Sequence, residues 1–310
     1  MSSIKTLVAN IVDYAGLFPP AKLPMETVVA NFRDYLAGPD RWMLARLIVP
    51  TARLDEFVAA AELPNDANAE PWRISALVPP ADESSDAMEI AIKAIVDFNS
   101  VHGSAENGLA IVDAVEVKAP TLDHIARTTS IIPKNINAFL EVPHQDDPSI
   151  LLEAIAKAPE HFFAKIRTGG LTQNLIPPVD QVARFIHRCA QHQVAFKATA
   201  GLHHPLRGDY RLTYEKNAQS GTMYGFLNVF IAACLAFDSQ LPQSILESVL
   251  SETDIARFHV GDSVIGWGEH SVDVKAVESI RDKFATSFGS CSFEEPTQEL
   301  SEVGLLKRVL

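Results

Sequence analysis

Apolar, β-rich runs alternate with amphipathic stretches almost from one end of this 310-residue chain to the other, and most runs close on Pro or Gly. The expected strands are Val8 to Tyr14, Met43 to Val49, Arg73 to Val78, Leu109 to Val117, Ala138 to Val142, Phe162 to Arg167 and Ala195 to Ala200. An eighth is either Arg257 to Val260 or Val264 to Trp267. Helical stretches fall between them, near 25–36, 54–61, 86–99, 122–130, 149–157, 179–193 and 224–237. The strands are mostly apolar on both faces, which an all-parallel sheet covered by helices requires. Eight such runs predict a closed (β/α)8 TIM barrel; a doubly wound sheet is the other solution. No G-x-G-x-x-G follows the first strand and no P-loop appears, which weakens the nucleotide-binding version of that sheet.

Start signals agree with the helices. Thr121 precedes Leu122, Asp147-Pro148 opens the stretch at Ser149, and Pro177-Pro178 stands before Val179. Three segments break the alternation. Ala61 to Pro71 is a polar loop rich in Asn, Asp, Glu and Pro. Leu202 to Gly221 is longer than an ordinary βα connection and reads as a lid or substrate loop after strand 7. Phe288 to Leu310 reads as an acidic C-terminal extension, so the expected organisation is a barrel over 1–287 and a tail over 288–310, packed on the barrel or on a second subunit.

The net charge of −13 is spread along the chain, which argues against nucleic acid or an anionic membrane surface as a partner. The longest apolar run, Tyr224 to Phe237, falls short of the ~20 residues a membrane span needs. Cys189, Cys234 and Cys291 are widely spaced with no C-x-x-C, and no export signal is visible at the start, so a reducing cytoplasm is the expected compartment. Cys291 has no histidine or basic residue near it in sequence and reads as inert. Barrels of this size commonly associate, so a homo-oligomer is a natural expectation.

Two segments carry most of the chemical information. Lys165-Ile166-Arg167-Thr168-Gly169-Gly170 and Phe196-Lys197-Ala198-Thr199-Ala200-Gly201 each set a lysine inside an apolar run that ends in Thr and Gly. In a (β/α) barrel the active site occupies the C-terminal ends of the strands, where these residues fall. Two ammonium groups converging there lose a proton more easily than one, and a neutral lysine is a nucleophile toward carbonyls. One of the two is then the nucleophile and the other the neighbour that depresses its pKa. Asp113 and Glu116 are the candidate proton carriers; strict alternation points them to opposite faces unless the strand bulges. Arg167 offers a fork for a substrate carboxylate. Arg46, inside an apolar run, needs an acid, with Asp13 or Asp113 as candidates.

These segments resemble the class I deoxyribose-phosphate aldolases. Lys165-Ile166-Arg167-Thr168-Gly169 is similar to that family's K-x-x-T-G, whose lysine forms a Schiff base. Phe196 to Leu202 is similar to its V-K-A-x-G-G-I, whose lysine assists. Val112-Asp113-Ala114-Val115 matches V-D-x-V, whose aspartate relays protons, and Val12 to Leu17 is loosely similar to a D-x-T-x-L near the family's start. The resemblance implies a lyase or aldolase of the TIM-barrel type, with no cofactor and a small carbonyl or carboxylate substrate. It implies substrate contacts from Asp13, Thr168, Gly169, Gly170, Thr199 and Gly201; Arg167, and His203 and His204 in the loop after strand 7, depart from the family's pattern and are expected substrate contacts on their own chemistry. The family's eighth-strand phosphate site would fall on Ile265 to Ser271, where Glu269 opposes a phosphate.

Two other readings stay open. Glu116, Glu141, His144 and His203 are oxygen and nitrogen donors at strand ends that suit a divalent metal, for hydrolysis or isomerisation. A barrel acting as a non-catalytic binding protein is the third, with each lysine in a structural ion pair.

Overall fold

The computed structural model describes residues 2–82 and 85–306. Eight parallel strands close into a barrel: β1 (Val12–Tyr14), β2 (Leu44–Pro50), β3 (Trp72–Leu77), β4 (Ala110–Lys118), β5 (Asn137–Glu141), β6 (Phe162–Arg167), β7 (Phe196–Thr199) and β8 (Ala285–Ser290). Each is followed by helix on the outside, the TIM-barrel arrangement expected from the alternation. The helix after β7, Phe226–Asp238, is buried from Phe226 through Ala236, because helices Val179–His192 and Gln243–Ser251 pack on it as well as the barrel. That explains why its sequence is apolar all round.

The eighth strand is neither of the two expected ones. Phe258–Val260 and Val264–Trp267 pair antiparallel with each other and, through His270–Asp273, form a separate three-stranded sheet outside the barrel. A two-residue turn, Gly268-Glu269, joins its last two strands, with Gly268 at φ +61°. Glu269 therefore does not border the barrel mouth and says nothing about phosphate there. The closing strand β8 reads Ala-Thr-Ser-Phe-Gly-Ser, crosses the 287/288 boundary, and carries almost none of the apolar signature of a buried strand. Its inner positions have to be small. Ser287 meets the Asp13 side chain, and a Cβ on Gly289 would come within 3.1 Å of Thr199 Oγ1 and 3.3 Å of Ile48 Cδ1. Outward, Phe288 stacks on Phe226 with ring centroids 5.3 Å apart.

Smaller differences are local. The first expected strand, Val8 to Tyr14, is shorter: Val8 ends a helix, Ser3–Val8, and β1 starts only at Val12. Along β4 the pairing with β3 steps from Ile74↔Val112 to Ser75↔Ala114, so Asp113 is an extra, bulged residue. The bulge resets the alternation and lets Asp113 and Glu116 both reach partners inside the barrel. The loop after β7 holds an antiparallel hairpin, Gly208–Arg211 with Ser220–Met223. The C-terminal part is a helix, Glu294–Glu302, which buries Pro296, Thr297 and Leu300 and meets that loop through Glu295 and Glu299; residues 307–310 of the expected tail lie outside the described residues. No described helix is long and apolar enough to cross a membrane.

Replacing Phe288 by Ala removes a buried ring from the barrel–helix interface and is expected to cost about 3–5 kcal/mol in chemical denaturation. A loss below about 1 kcal/mol would contradict the placement of β8.

Candidate active site

The C-terminal halves of the strands hold a row of buried charges. Glu141, Lys165 and Lys197 stand side by side at one register level on β5, β6 and β7. Glu116 reaches in from β4 and bridges the two lysines: Lys165 Nζ donates to Oε2 at 2.8 Å, and Lys197 Nζ to Oε1 at 2.5 Å. Lys165 also pairs with Glu141 at 3.0 Å, and Lys197 with Asp13 on β1 at 2.6 Å. Ser75 donates to Glu116 at 3.0 Å and Ser287 to Asp13 at 2.8 Å. The Phe139 ring lies 5.4 Å from Lys197 Nζ.

Three carboxylates thus surround two ammonium groups, and the electrostatics follow. Burial works against the charge on Lys165, but Glu116 and Glu141 outweigh it and hold the ammonium above the ordinary lysine value. This reverses the depressed pKa expected from two adjacent lysines, because Glu116 stands between them and cancels their repulsion. Burial alone would push the Glu116 carboxyl up; Lys165 and Lys197 override it and hold it well below the usual carboxylate range.

The two lysines differ in access. A cavity of about 400 Å³ opens at the mouth, bordered by Glu116, Lys118, Glu141, Lys165, Arg167 and Thr199 on its polar side. Lys165 keeps 7% of its side chain accessible there, whereas Lys197 is fully enclosed at 0%. Asp13, equally enclosed, sits behind Lys197 rather than on the cavity.

Asp113 is elsewhere. Both of its oxygens are taken by Arg46, at 2.7 and 3.0 Å, and by Arg73 from the start of β3. These arginines overcome the effect of burial and keep its pKa low. Asp113 is the acid that Arg46 required, and it touches neither lysine.

The Thr-Gly segments at the ends of β6 and β7 mainly join the strands. Thr168 Oγ1 donates toward the Thr199 and Ala200 carbonyl oxygens, and Gly169 passes so close to Gly201 that a Cβ on it would lie 2.8 Å from the Gly201 Cα. Gly201 itself is at φ +75°, in the left-handed region. A Cβ on Gly170 would strike Leu175. Of this group only Arg167 and Thr199 border the cavity.

The metal-ligand set expected from the sequence does not assemble. His144 pairs with Gln181 at 2.8 Å, His203 with Glu295 at 2.9 Å, and Glu116 and Glu141 are engaged by lysines. Among the described residues, no three His, Cys, Asp or Glu side chains converge as metal ligands would.

His203 and His204 instead tie the loop after β7 to the C-terminal helix. His204 Nδ1 lies 2.8 Å from Glu299 and its ring stacks on Tyr210, while Tyr214, between the two strands of the hairpin, donates to Glu295 at 2.9 Å. His203 also stands 3.9 Å from Cys291 Sγ through Nε2. Although burial opposes its charge, contacts with Cys291 and Glu295 push its pKa up to about 10. Cys291 therefore has a histidine beside it that its sequence neighbourhood did not reveal. Ser75, Ser287 and Phe18 went unnoticed as well; small hydroxyl residues and a loop phenylalanine carry no signal of their own in sequence.

Compared with known proteins, the chain matches no family model and no curated protein. The resemblance of its strand-end segments to aldolases rests on those residues alone.

Glu116→Gln leaves two buried ammonium groups facing a neutral amide and is expected to destabilise the barrel by about 3–5 kcal/mol near neutral pH. The native Glu116 pKa lies well below the unfolded one, so its contribution is present above the ordinary carboxylate pKa and lost progressively as pH falls from there toward the depressed native value. Lys165, raised in the native state, contributes below the ordinary lysine pKa and loses that contribution as pH rises through its native value. Urea melts across pH should show both limbs in the natural protein and a flatter acid limb in the variant.

Proposed function

We propose that the protein is a lyase of the aldolase type, in which Lys165 forms an imine with a small carbonyl substrate. The observation that carries this reading is the difference between two neighbouring lysines: Lys165 borders the cavity, and Lys197 is enclosed behind it. The TIM barrel, with its strand ends facing that cavity, is compatible with such an enzyme.

The resting ammonium must first lose its proton. Substrate filling the cavity displaces water from Lys165 and Glu141, and desolvation favours the neutral amine–carboxylic acid pair over the ion pair. Glu141, 3.0 Å away and itself on the cavity, takes the proton. The amine then attacks the carbonyl carbon and a C–N bond forms; the carbonyl oxygen takes one proton from the attacking nitrogen and one from Glu141, and leaves as water. The resulting iminium draws in the electron pair of the bond between the α- and β-carbons as it breaks, leaving an enamine, while the β-hydroxyl of the departing fragment passes its proton to a carboxylate and becomes a carbonyl. Protonation of the enamine and hydrolysis of the imine restore the lysine. Glu116 and Lys197 stay paired beneath and keep the amine aimed at the cavity.

Borohydride with a reactive carbonyl compound is expected to reduce the imine to a stable secondary amine on Lys165, read by peptide mass spectrometry. Lys165→Arg should abolish that adduct while the chain keeps its circular dichroism spectrum; an adduct retained elsewhere would refute the assignment. Because the ammonium is held above its ordinary pKa, the trapping rate of the free enzyme should climb as pH rises from about 7 to 10. A plateau already reached below pH 7 would contradict the pairing with Glu116 and Glu141.

A further inference from the structure

Among the described residues, two cations on the cavity wall have no acid of their own. Arg167 lies two residues beyond Lys165 on the same strand face, and its Nε donates to the Gly169 carbonyl oxygen at 3.1 Å. That bond holds the guanidinium and leaves its two terminal nitrogens, a fork that fits a carboxylate end-on, without a protein acceptor among the described residues. Lys118, the exposed last residue of β4, borders the same cavity. Every other charge on the cavity is satisfied internally: Glu116 and Glu141 are both engaged by Lys165.

The opposite side of the mouth has another character. Phe18, Ile48, Leu77, Val78 and Pro80, from the segment after β1, from β2, and from the end of β3 and the residues just beyond it, form an apolar wall. Strand β2 stands across the eight-stranded ring from β6, so the wall faces Lys165 and Arg167.

We propose that this cavity recognises a short-chain oxo acid. Its carboxylate sits on Arg167 and Lys118, its carbonyl lies over Lys165, and its hydrocarbon end rests against Phe18 and the apolar wall. Two residues along a strand are about 6.6 Å apart. Lys165 and Arg167 project from one strand face at this spacing, so a carboxylate on the Arg167 fork holds the carbons next to it near the lysine. The carbonyl thus belongs at the 2- or 3-position. The two cations also serve the chemistry, because a neutralised carboxylate does not add to the negative field that keeps Lys165 protonated. The inference rests on the imine reading of Lys165, and its test separates the two.

The matched probes are 4-methyl-2-oxopentanoate and 4-methylpentan-2-one, which share an apolar end and a ketone and differ in the carboxylate. 4-Methylpentanoate, with no carbonyl, serves as a competing ligand followed by calorimetry. In borohydride trapping, the oxo acid should be preferred over the ketone by at least tenfold, and Arg167→Met should bring that ratio to within about twofold of unity. Lys118→Met should lower it several-fold. Calorimetry should show 4-methylpentanoate binding to the natural protein and at least tenfold weaker binding to Arg167→Met. Equal trapping of both probes, indifferent to Arg167→Met, would overturn the carboxylate seat and leave the imine standing. Carboxylate binding with no adduct from either probe would overturn the proposal through the imine reading instead. Preferential trapping of a phosphorylated aldehyde would put phosphate on the fork and overturn the choice of acid.

Discussion

One carboxylate holds the centre of this barrel together. Glu116 is almost fully enclosed, and each of its oxygens accepts from a different lysine. Burying a charge is costly unless it is paired and hydrogen-bonded, and here one acid satisfies two bases that would otherwise repel each other. Asp13 and Glu141 complete the row from either side, so that charges alternate from β1 through β7, β4 and β6 to β5. The arrangement tolerates only small residues on β8, where Ser287 and Gly289 face it, and this shapes the last strand as firmly as any apolar requirement.

The same interior is layered. Toward the N-terminal ends of the strands, the Arg46, Asp113 and Arg73 cluster takes up charge that has no access to the cavity. Above it, the lysine row separates an enclosed amine from one that borders open space. Function in a barrel depends on this second distinction, because a fully enclosed nucleophile meets no substrate whatever its pKa. The helix after β8 and the loop after β7 form a third region, pinned by His203, His204, Tyr214, Glu295 and Glu299. Their bonds hold the two segments to each other and not to the lysine cavity.

The eightfold alternation of runs carried the barrel class, and seven of its strands are visible in sequence as buried, β-rich segments. The eighth was not, since β8 packs its inner face against a polar cluster and therefore lacks apolar residues there, whereas the outer hairpin at 258–273 has ordinary β-branched and aromatic strands. The two lysines were legible because each stands out in an apolar run and ends at the same level of the sheet. Asp113 illustrates the opposite case. A strand bulge is invisible to a period-two reading, and the bulge decides which partners that residue reaches.

The amino-acid sequence by itself determined the alternating architecture and the presence of two lysines at neighbouring strand ends, because period and spacing are properties of the chain alone. Only the tertiary structure decided that those lysines share Glu116, that Lys165 and not Lys197 meets the cavity, and that its ammonium is held rather than released. It also decided that Cys291 has His203 for a neighbour across a wide gap in sequence. Charge pairing and access depend on distances between strands far apart in the chain, and those distances exist only once the barrel has closed.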